Sequence, residues 1–353
     1  MMRVKLKDIT NYSKGSQINR DILLENGKYI YLNGGINPSG KWNAYNVSSK
    51  TITISEGGNS SGYINYITEP FWCGAHCYYL FDGPKNTKYL YYALKSQQER
   101  LFKIRSGACM PNIKKKDLGN FEFEFDFNEK IQIKIVSILD ECNKIINNYK
   151  LELELLDELV KARFVELFGD PATNEYNWPM LNLENVSSII TYGLTVRPTY
   201  VNKGIDLISA RELHKGFIEY EVAPKISFND FQSLSDKGKP LKNDILFSKT
   251  GSIGHCALVD TDKMFAITQN AARLGLIIEK VNPVWLLYYL RMNYIQDWCK
   301  RHAKGNAVKD LQLKDIKAIP LFECPLELQN QFADFVKEVD KSRFIIKSMI
   351  KEG

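Results

Sequence analysis

Residues 129–171 read EKIQIKIVSILDECNKIINNYKLELELLDELVKARFVELFGDP, and neither Gly nor Pro interrupts them before the closing Gly169-Asp170-Pro171. Apolar residues fall at Ile131, Ile135, Ile138, Cys142, Ile145 and Tyr149 in alternating steps of four and three, and Leu153, Leu156 and Leu159 continue the row with a local stutter. A mean step of 3.5 residues keeps one stripe turned toward a partner helix, so the stretch predicts a coiled-coil helix from Glu129 to Phe168. Gly at the helix end with Pro just beyond is a stop signal. At 1.5 Å per residue this helix is a rod of roughly 60 Å.

The row recurs further along the chain. Leu328, Phe332, Phe335, Val339, Ser342, Ile346 and Met349 take the same steps, and a shift of 197 places Ile135 on Phe332, Ile138 on Phe335 and Cys142 on Val339. The blocks ahead of the two helices also match. Each opens with a short alternating segment running to a Gly, Val4–Ile9 to Gly15 and Met180–Val186 to Gly193. Each then has a strand-like run into a Gly/Ser turn: Thr51–Ser55 before Gly57-Gly58-Asn59-Ser60-Ser61-Gly62, and Asp244–Ser248 before Lys249-Thr250-Gly251-Ser252-Ile253-Gly254. An amphipathic helix is predicted next in both, Tyr89–Arg105 and Val284–His302. Both blocks end alike, Gly107–Leu118 aligning with Gly305–Ile316 at an offset of 198. The offset at Gly15 and Gly193 is only 178, so the second block carries extra residues, expected around Phe228–Lys239.

The expected fold class is therefore α+β: two mixed α/β domains, 1–125 and 171–324, joined by long antiparallel coiled-coil spacers, 126–170 and 325–353, as a pseudo-two-fold internal repeat. Ile135, Ile138, Cys142, Ile145, Tyr149, Phe332, Phe335, Val339 and Ile346 are the expected helix-pair and partner interface. One departure from symmetry is visible. The second helix stops at Gly353, without a counterpart of Leu156–Phe168.

Composition narrows the classes. The 353 residues, 44% hydrophobic and 25% charged, are globular in composition. The apolar runs, such as Leu286–Leu290, fall far short of the roughly 18 residues that cross a bilayer. Met1–Lys7 alternates charge with single apolar residues, which predicts no secretory signal, and seven scattered cysteines fit reduced thiols, so a cytoplasmic location without membrane partners is expected. The net charge of +6 is too mild to name a partner, but its distribution is informative. Net charge is +7 over 1–125, −4 over 126–170, +3 over 171–324 and zero over 325–353. Two positive blocks separated by an acidic rod is the arrangement expected when the blocks meet phosphate and the rod does not.

With these residues in place, the chain resembles the specificity subunit of type I restriction-modification systems. The resemblance covers essentially the whole chain and rests on Gly107–Leu118, on Gln132 and Gln329 in the opening turns of the paired helices, and on Leu155–Phe168 ending in Leu167-Phe168-Gly169-Asp170-Pro171. It implies that each mixed domain reads one half of a split DNA target while the helices set the gap and dock methyltransferase subunits. Implied partners are double-stranded DNA, two methyltransferase subunits and restriction/translocase subunits. S-adenosylmethionine, ATP and magnesium are then expected on those partners and no cofactor in this chain.

Catalytic motifs argue the same way. Gly57–Gly62 has phosphate-loop glycine spacing, but Tyr63-Ile64 stands where Lys-Ser/Thr is needed. Cys73-Gly74-Ala75-His76-Cys77 offers three zinc ligands without a fourth, between flanks that read as a buried strand, so core thiols are the better reading and no metal is expected. His76, His214, His255 and His302 have no Ser or Cys nucleophile motif beside them, and Asn37-Pro38-Ser39 lacks the second Pro and the aromatic residue that adenine methyltransferases use to hold a flipped base. No catalytic residue is expected. The candidate DNA contacts are Lys14, Lys41, Ser60, Ser61, Lys114, Lys115, Lys116, Arg197, Arg211, Lys249, Thr250, Ser252, Gln269, Asn270, Lys304 and Lys309, with Arg273 a further cation near a turn. Arg197, Arg211, Gln269 and Asn270 are the base-reading candidates, because Arg pairs bidentately with guanine and Asn or Gln with adenine. Lys114–Lys116 also reads as a merely solvated helix start. The rival readings are a coiled-coil scaffold of protein-binding domains, which leaves the two basic blocks unexplained, a DNA-binding module without restriction partners, and a complete methyltransferase or nuclease, which the missing motifs disfavour.

Overall fold

Glu129–Phe168 is one continuous helix of 40 residues and Leu326–Glu352 a second of 27 in the computed structural model of the chain, which describes residues 1–107, 110–196 and 198–352. The chain divides into two units, Met1–Asn147 and Asn148–Gly353, so the boundary falls inside the first long helix. Each end of that helix packs on one unit. Ile135 and Val136 pack against the core of unit 1, while Val160, Phe164 and Phe168 are wholly buried in the core of unit 2.

The sheet of unit 1 runs in the order Asn11–Lys14, Cys77–Phe81, Thr51–Ser55, Ile64–Ile67, every pair antiparallel. All five residues of Thr51–Ser55 are buried, the β-branched Thr51, Ile52, Thr53 and Ile54 suiting a central strand. A smaller sheet pairs Tyr29–Leu32 antiparallel with Gly40–Trp42 and parallel with Trp72–Cys73. Met2–Lys5 pairs with Glu122–Phe125, closing the unit just ahead of the long helix.

Unit 2 repeats this plan. Ser187–Tyr192, Ala271–Leu276, Ile245–Ser248 and Cys256–Leu258 form the same four-stranded antiparallel order, Ile205–Ile208 pairs parallel with Phe265–Ile267, and Met180–Asn182 closes on Pro320–Phe322. The interval expected to hold extra residues carries the helix Phe228–Ser233 and the turn Asp236–Gly238.

Each expected amphipathic helix is broken in two. Unit 1 has Thr87–Lys95 and Gln98–Lys103, and unit 2 has Pro283–Arg291 and Asn293–His302. Asn86 and Asn282 cap the first pieces through their side-chain oxygens. In unit 2 the break falls at Met292, whose backbone is extended, and the Gln296 amide satisfies the Leu290 carbonyl that the break would orphan (2.7 Å).

Within unit 2 the two long helices run antiparallel, with Phe164 against Phe332 (ring centroids 5.3 Å) and Asp157 paired with Arg343 (2.6 Å). The seam differs from the expected one. Phe332, Val336 and Val339 are buried on one side, against Leu156, Val160, Phe164 and Leu167 on the other, and Ile346 further along the second helix is buried too. Ile138, Cys142 and Ile145, assigned to that seam from periodicity, are exposed. They lie ahead of the turns that meet the second helix.

Asp206, in the small sheet of unit 2, is almost wholly buried and takes Lys225 on Oδ1 and Lys263 on Oδ2 (2.5 Å). Burial alone would raise its carboxyl, but the hydrogen bonds and charges of the two lysines outweigh that and hold it below the ordinary carboxylate range. A depressed folded-state value means stability that is complete above the unfolded value, about pH 4, and lost as pH falls through the folded one. Asp206→Asn is expected to cost on the order of 1 kcal/mol at pH 7, both lysines being partly exposed, and to flatten the acid limb of urea midpoints measured from pH 7 to 2. An unchanged limb would assign the acid sensitivity elsewhere.

Candidate nucleic-acid interface

The central strand of each unit runs into a glycine turn, and the same hydrogen bonds hold both turns. Gly58 N donates to Pro111 O (2.9 Å) and Gly251 N to Lys309 O (2.8 Å). Ile113 N donates to Glu56 O (2.9 Å) and Leu311 N to Lys249 O (2.7 Å). The neighbouring loops are closed by reciprocal pairs, Ser106 with Asn112 and Lys304 with Asp310. A glutamine from the second helical piece anchors the far end, Gln98 to Gly62 O (2.6 Å) and Gln296 to Gly254 O (2.9 Å). Gly254 has φ +94, and a Cβ there would stand 2.3 Å from the Gln296 amide oxygen, so both the backbone and the anchor demand glycine.

Outward, the turns are bare. No atom lies within 4 Å of where a Cβ would stand on Gly57, Gly58 or Gly251. Among the described residues, the amides of Asn59, Ser60, Ser252 and Ile253 donate to no protein acceptor. Free amides on a bare turn are what a phosphate oxygen needs in order to approach the backbone closely.

The side chains around the turns sort the expected contacts. Lys249 is buried, its ammonium bound to Asp310 Oδ1 (2.6 Å), which also accepts from Thr250 Oγ1 (2.6 Å). Partial burial would raise the Asp310 carboxyl, but the hydrogen bonds from Lys249 and Thr250 outweigh it and hold the group below its ordinary value. Lys249 and Thr250 therefore form an internal latch that shapes the turn. Ser61 is wholly buried and donates to Glu56 O (2.6 Å), and Ser60 donates to Gly34 O (2.7 Å), so neither hydroxyl proton is free. Arg273 is no surface cation; it is buried against Asp244 (2.6 Å).

Lys304, Lys309, Ser252 and Gln269 are exposed on or beside the turn of unit 2, with Asn270 half-buried, its carbonyl taken by Lys249 N (3.0 Å). In unit 1, Lys14 reaches the turn and pairs with Glu56. Lys114, Lys115 and Lys116 are exposed at the start of the helix Lys115–Gly119, immediately after Ile113. Lys41 and Arg211 are exposed on other elements, the strand Gly40–Trp42 and the short turn Ala210–Leu213. Arg197 lies outside the described residues.

Sequence reasoning missed Glu56, Asp310 and Arg105, whose guanidinium holds Asn59 O (3.2 Å). It also weighed His76 only as a metal ligand or a catalytic histidine. His76 is exposed with Nδ1 3.7 Å from Glu56, whereas Cys73 and Cys77 are buried, the Cys73 thiol pushed up by hydrogen bonding with Cys77 and by burial. Among the described residues there is no group of three or more His, Cys, Asp or Glu that could hold a metal, and no helix long and apolar enough to cross a membrane.

The sequence model of the type I restriction modification DNA specificity domain matches this chain over residues 1–156 and again over 196–352. The chain belongs to that family. A specificity subunit of the Escherichia coli type I restriction enzyme EcoBI is 29% identical over 136 residues, 38% of this chain and 28% of that protein. A Mycoplasma genitalium protein whose name places it among type I specificity subunits is 29% identical over 191 residues, 53% of this chain and 50% of its own. The chain thus spans about half or less of the length of these curated relatives. Across solved structures the fold likeness is end to end. The S subunit of a type I restriction-modification system from M. genitalium superposes with TM-score 0.61 at 20% identity, covering 99% of this chain and 92% of that one. A chain from a structure on the assembly of a type I system gives TM-score 0.55 at 13% identity, covering 99% and 94%. The two matches to the specificity domain each contain one of the glycine turns.

Proposed function

We propose that this chain is the DNA-reading subunit of a type I restriction-modification complex, unit 1 reading one half of a bipartite target and unit 2 the other. The observation that carries the reading is the recurrence of one bare glycine turn, on one hydrogen-bond framework, in two units that each match the DNA specificity domain. The turns supply backbone contacts that fix register on the duplex, while exposed cations such as Lys116, Lys304 and Lys309 add phosphate attraction. The chain does no bond chemistry itself in this reading. Adenine methyltransferase subunits carrying S-adenosylmethionine methylate an adenine in each half, and an ATP- and magnesium-dependent translocase cuts. The long helices fix the gap and dock the methyltransferases. Leu151, Leu155 and Leu159 recur at four-residue steps as exposed apolar groups, as do Ile345 and Met349 on the second helix, and an exposed stripe of that kind suits a partner helix.

Co-expression with a cognate methyltransferase subunit, followed by mapping of N6-methyladenine across host DNA, is expected to yield a two-part motif with a fixed gap. A soluble complex that leaves DNA unmodified would sink the reading.

A further inference from the structure

The two turns share a backbone but not their side chains. Where unit 2 has Lys249, unit 1 has Glu56: Lys249 N donates to Asn270 O (3.0 Å) and Glu56 N to His76 O (2.9 Å), and both carbonyls accept from the loop behind. In unit 2 the cluster is closed on itself, because Asp310 takes both Lys249 and Thr250. In unit 1 the latch is missing. Asn112, standing where Asp310 does, accepts from Ser106 Oγ (3.1 Å), and Gly57, standing where Thr250 does, has no side chain to offer.

Glu56 therefore lacks the closed pairing that Lys249 has. Its Oε1 takes Lys14, and His76 Nδ1 stands 3.7 Å from its Oε2, beyond hydrogen-bonding distance. The buried Tyr78 hydroxyl gives its proton to Ile113 O (3.2 Å) and lies beside Glu56, its pKa raised by burial, by the Glu56 charge and by hydrogen bonding with that carboxylate. A carboxylate has about four lone-pair sites, so Glu56 keeps acceptor capacity beyond Lys14 and the neighbouring Tyr78 hydroxyl. The Glu56 side chain is 17% exposed, enough to be touched from outside while shielded from bulk water. The next two residues, Gly57 and Gly58, present no side chain and have open space where a Cβ would stand, and Lys14, 44% exposed, supplies a charge that offsets the repulsion of phosphate by Glu56.

We propose that Glu56 is a base-reading residue of unit 1, accepting a hydrogen bond from the N4 amino group of a cytosine in the major groove. Among base edges, the cytosine amino group is the usual donor to an acidic side chain. This assignment rests on the DNA-reading function proposed above. It gives the two halves unlike chemistry at the same place in the fold, an open acceptor in unit 1 and a closed latch in unit 2.

The test uses the full chain in complex with its methyltransferase subunits and duplexes carrying the mapped target. Each cytosine of the target is replaced singly by 2-pyrimidinone, which lacks the amino group. One position, in the half-site read by unit 1, is expected to weaken binding about fivefold or more, and Glu56→Ala is expected to abolish the difference between cytosine and the analogue there. If every position stays within about twofold in the wild-type complex, or if the penalty persists in Glu56→Ala, the assignment is overturned alone, by criteria set against that same expected range. The wild-type arm decides even if the variant does not assemble. A wild-type complex that marks no bipartite target overturns both this assignment and the function beneath it.

Discussion

Replacing Phe164 with alanine is expected to destabilise the unit Asn148–Gly353 by about 3–5 kcal/mol, which in a unit of this size lowers its melting temperature by roughly 6–20 °C. The Phe164 ring is wholly buried between Phe168, Trp285, Tyr289 and Phe332, with centroids 5.0, 6.4, 6.1 and 5.3 Å away. Those partners come from both long helices and from the helix Pro283–Arg291, so relaxation of one cannot close the void without pulling on the others. Truncation then costs the transfer of the ring and the cavity left behind. The matched control is Ile138→Ala on the same helix. Its side chain is 54% exposed, and its removal is expected to stay within about 0.5 kcal/mol. Thermal or urea unfolding of both variants decides the matter, and equal effects would show that the first long helix is packed alike along its length.

That contrast marks how far the sequence could be read. The helix, its stop at Gly169 and the register of 197 with its twin were all legible, because heptad steps and Gly/Pro punctuation are local. Periodicity finds a stripe and does not say what lies against it. Ile138 and Ile145 carry the same steps as Phe332 and Val339, yet they are exposed where those are buried. The glycine turns were legible for the same local reason, each a Gly/Ser cluster after a β-branched or aromatic run. The cations around them were not. Lys249 reads as a free donor until Asp310, 61 residues later, is brought against it, and Arg273 until Asp244 is. Long-range pairing of charges has no signature in one sequence, and it sorts a basic chain into cations that face out and cations that hold loops.

Exchanging residues 1–125 for the same domain of another specificity subunit is expected to replace one half of the methylated motif and leave the other half and the gap unchanged. The junction supports a clean exchange. Met2–Lys5 pairs with Glu122–Phe125, so both strands of the closing sheet travel together. On the retained side, Gln132 holds the Asp126 carbonyl (2.7 Å) and Ile135 and Val136 pad the core, which makes those positions the ones an incoming domain must accept. A helix left intact keeps its rise of 1.5 Å per residue, so the distance it sets does not change. Mapping of methylated adenines reads the outcome directly. If both halves of the motif changed, reading would be a joint property of the two units and the glycine turns would not act independently. If neither changed, unit 1 would contribute phosphate attraction without base selection, and Glu56 would lose its assigned role with it.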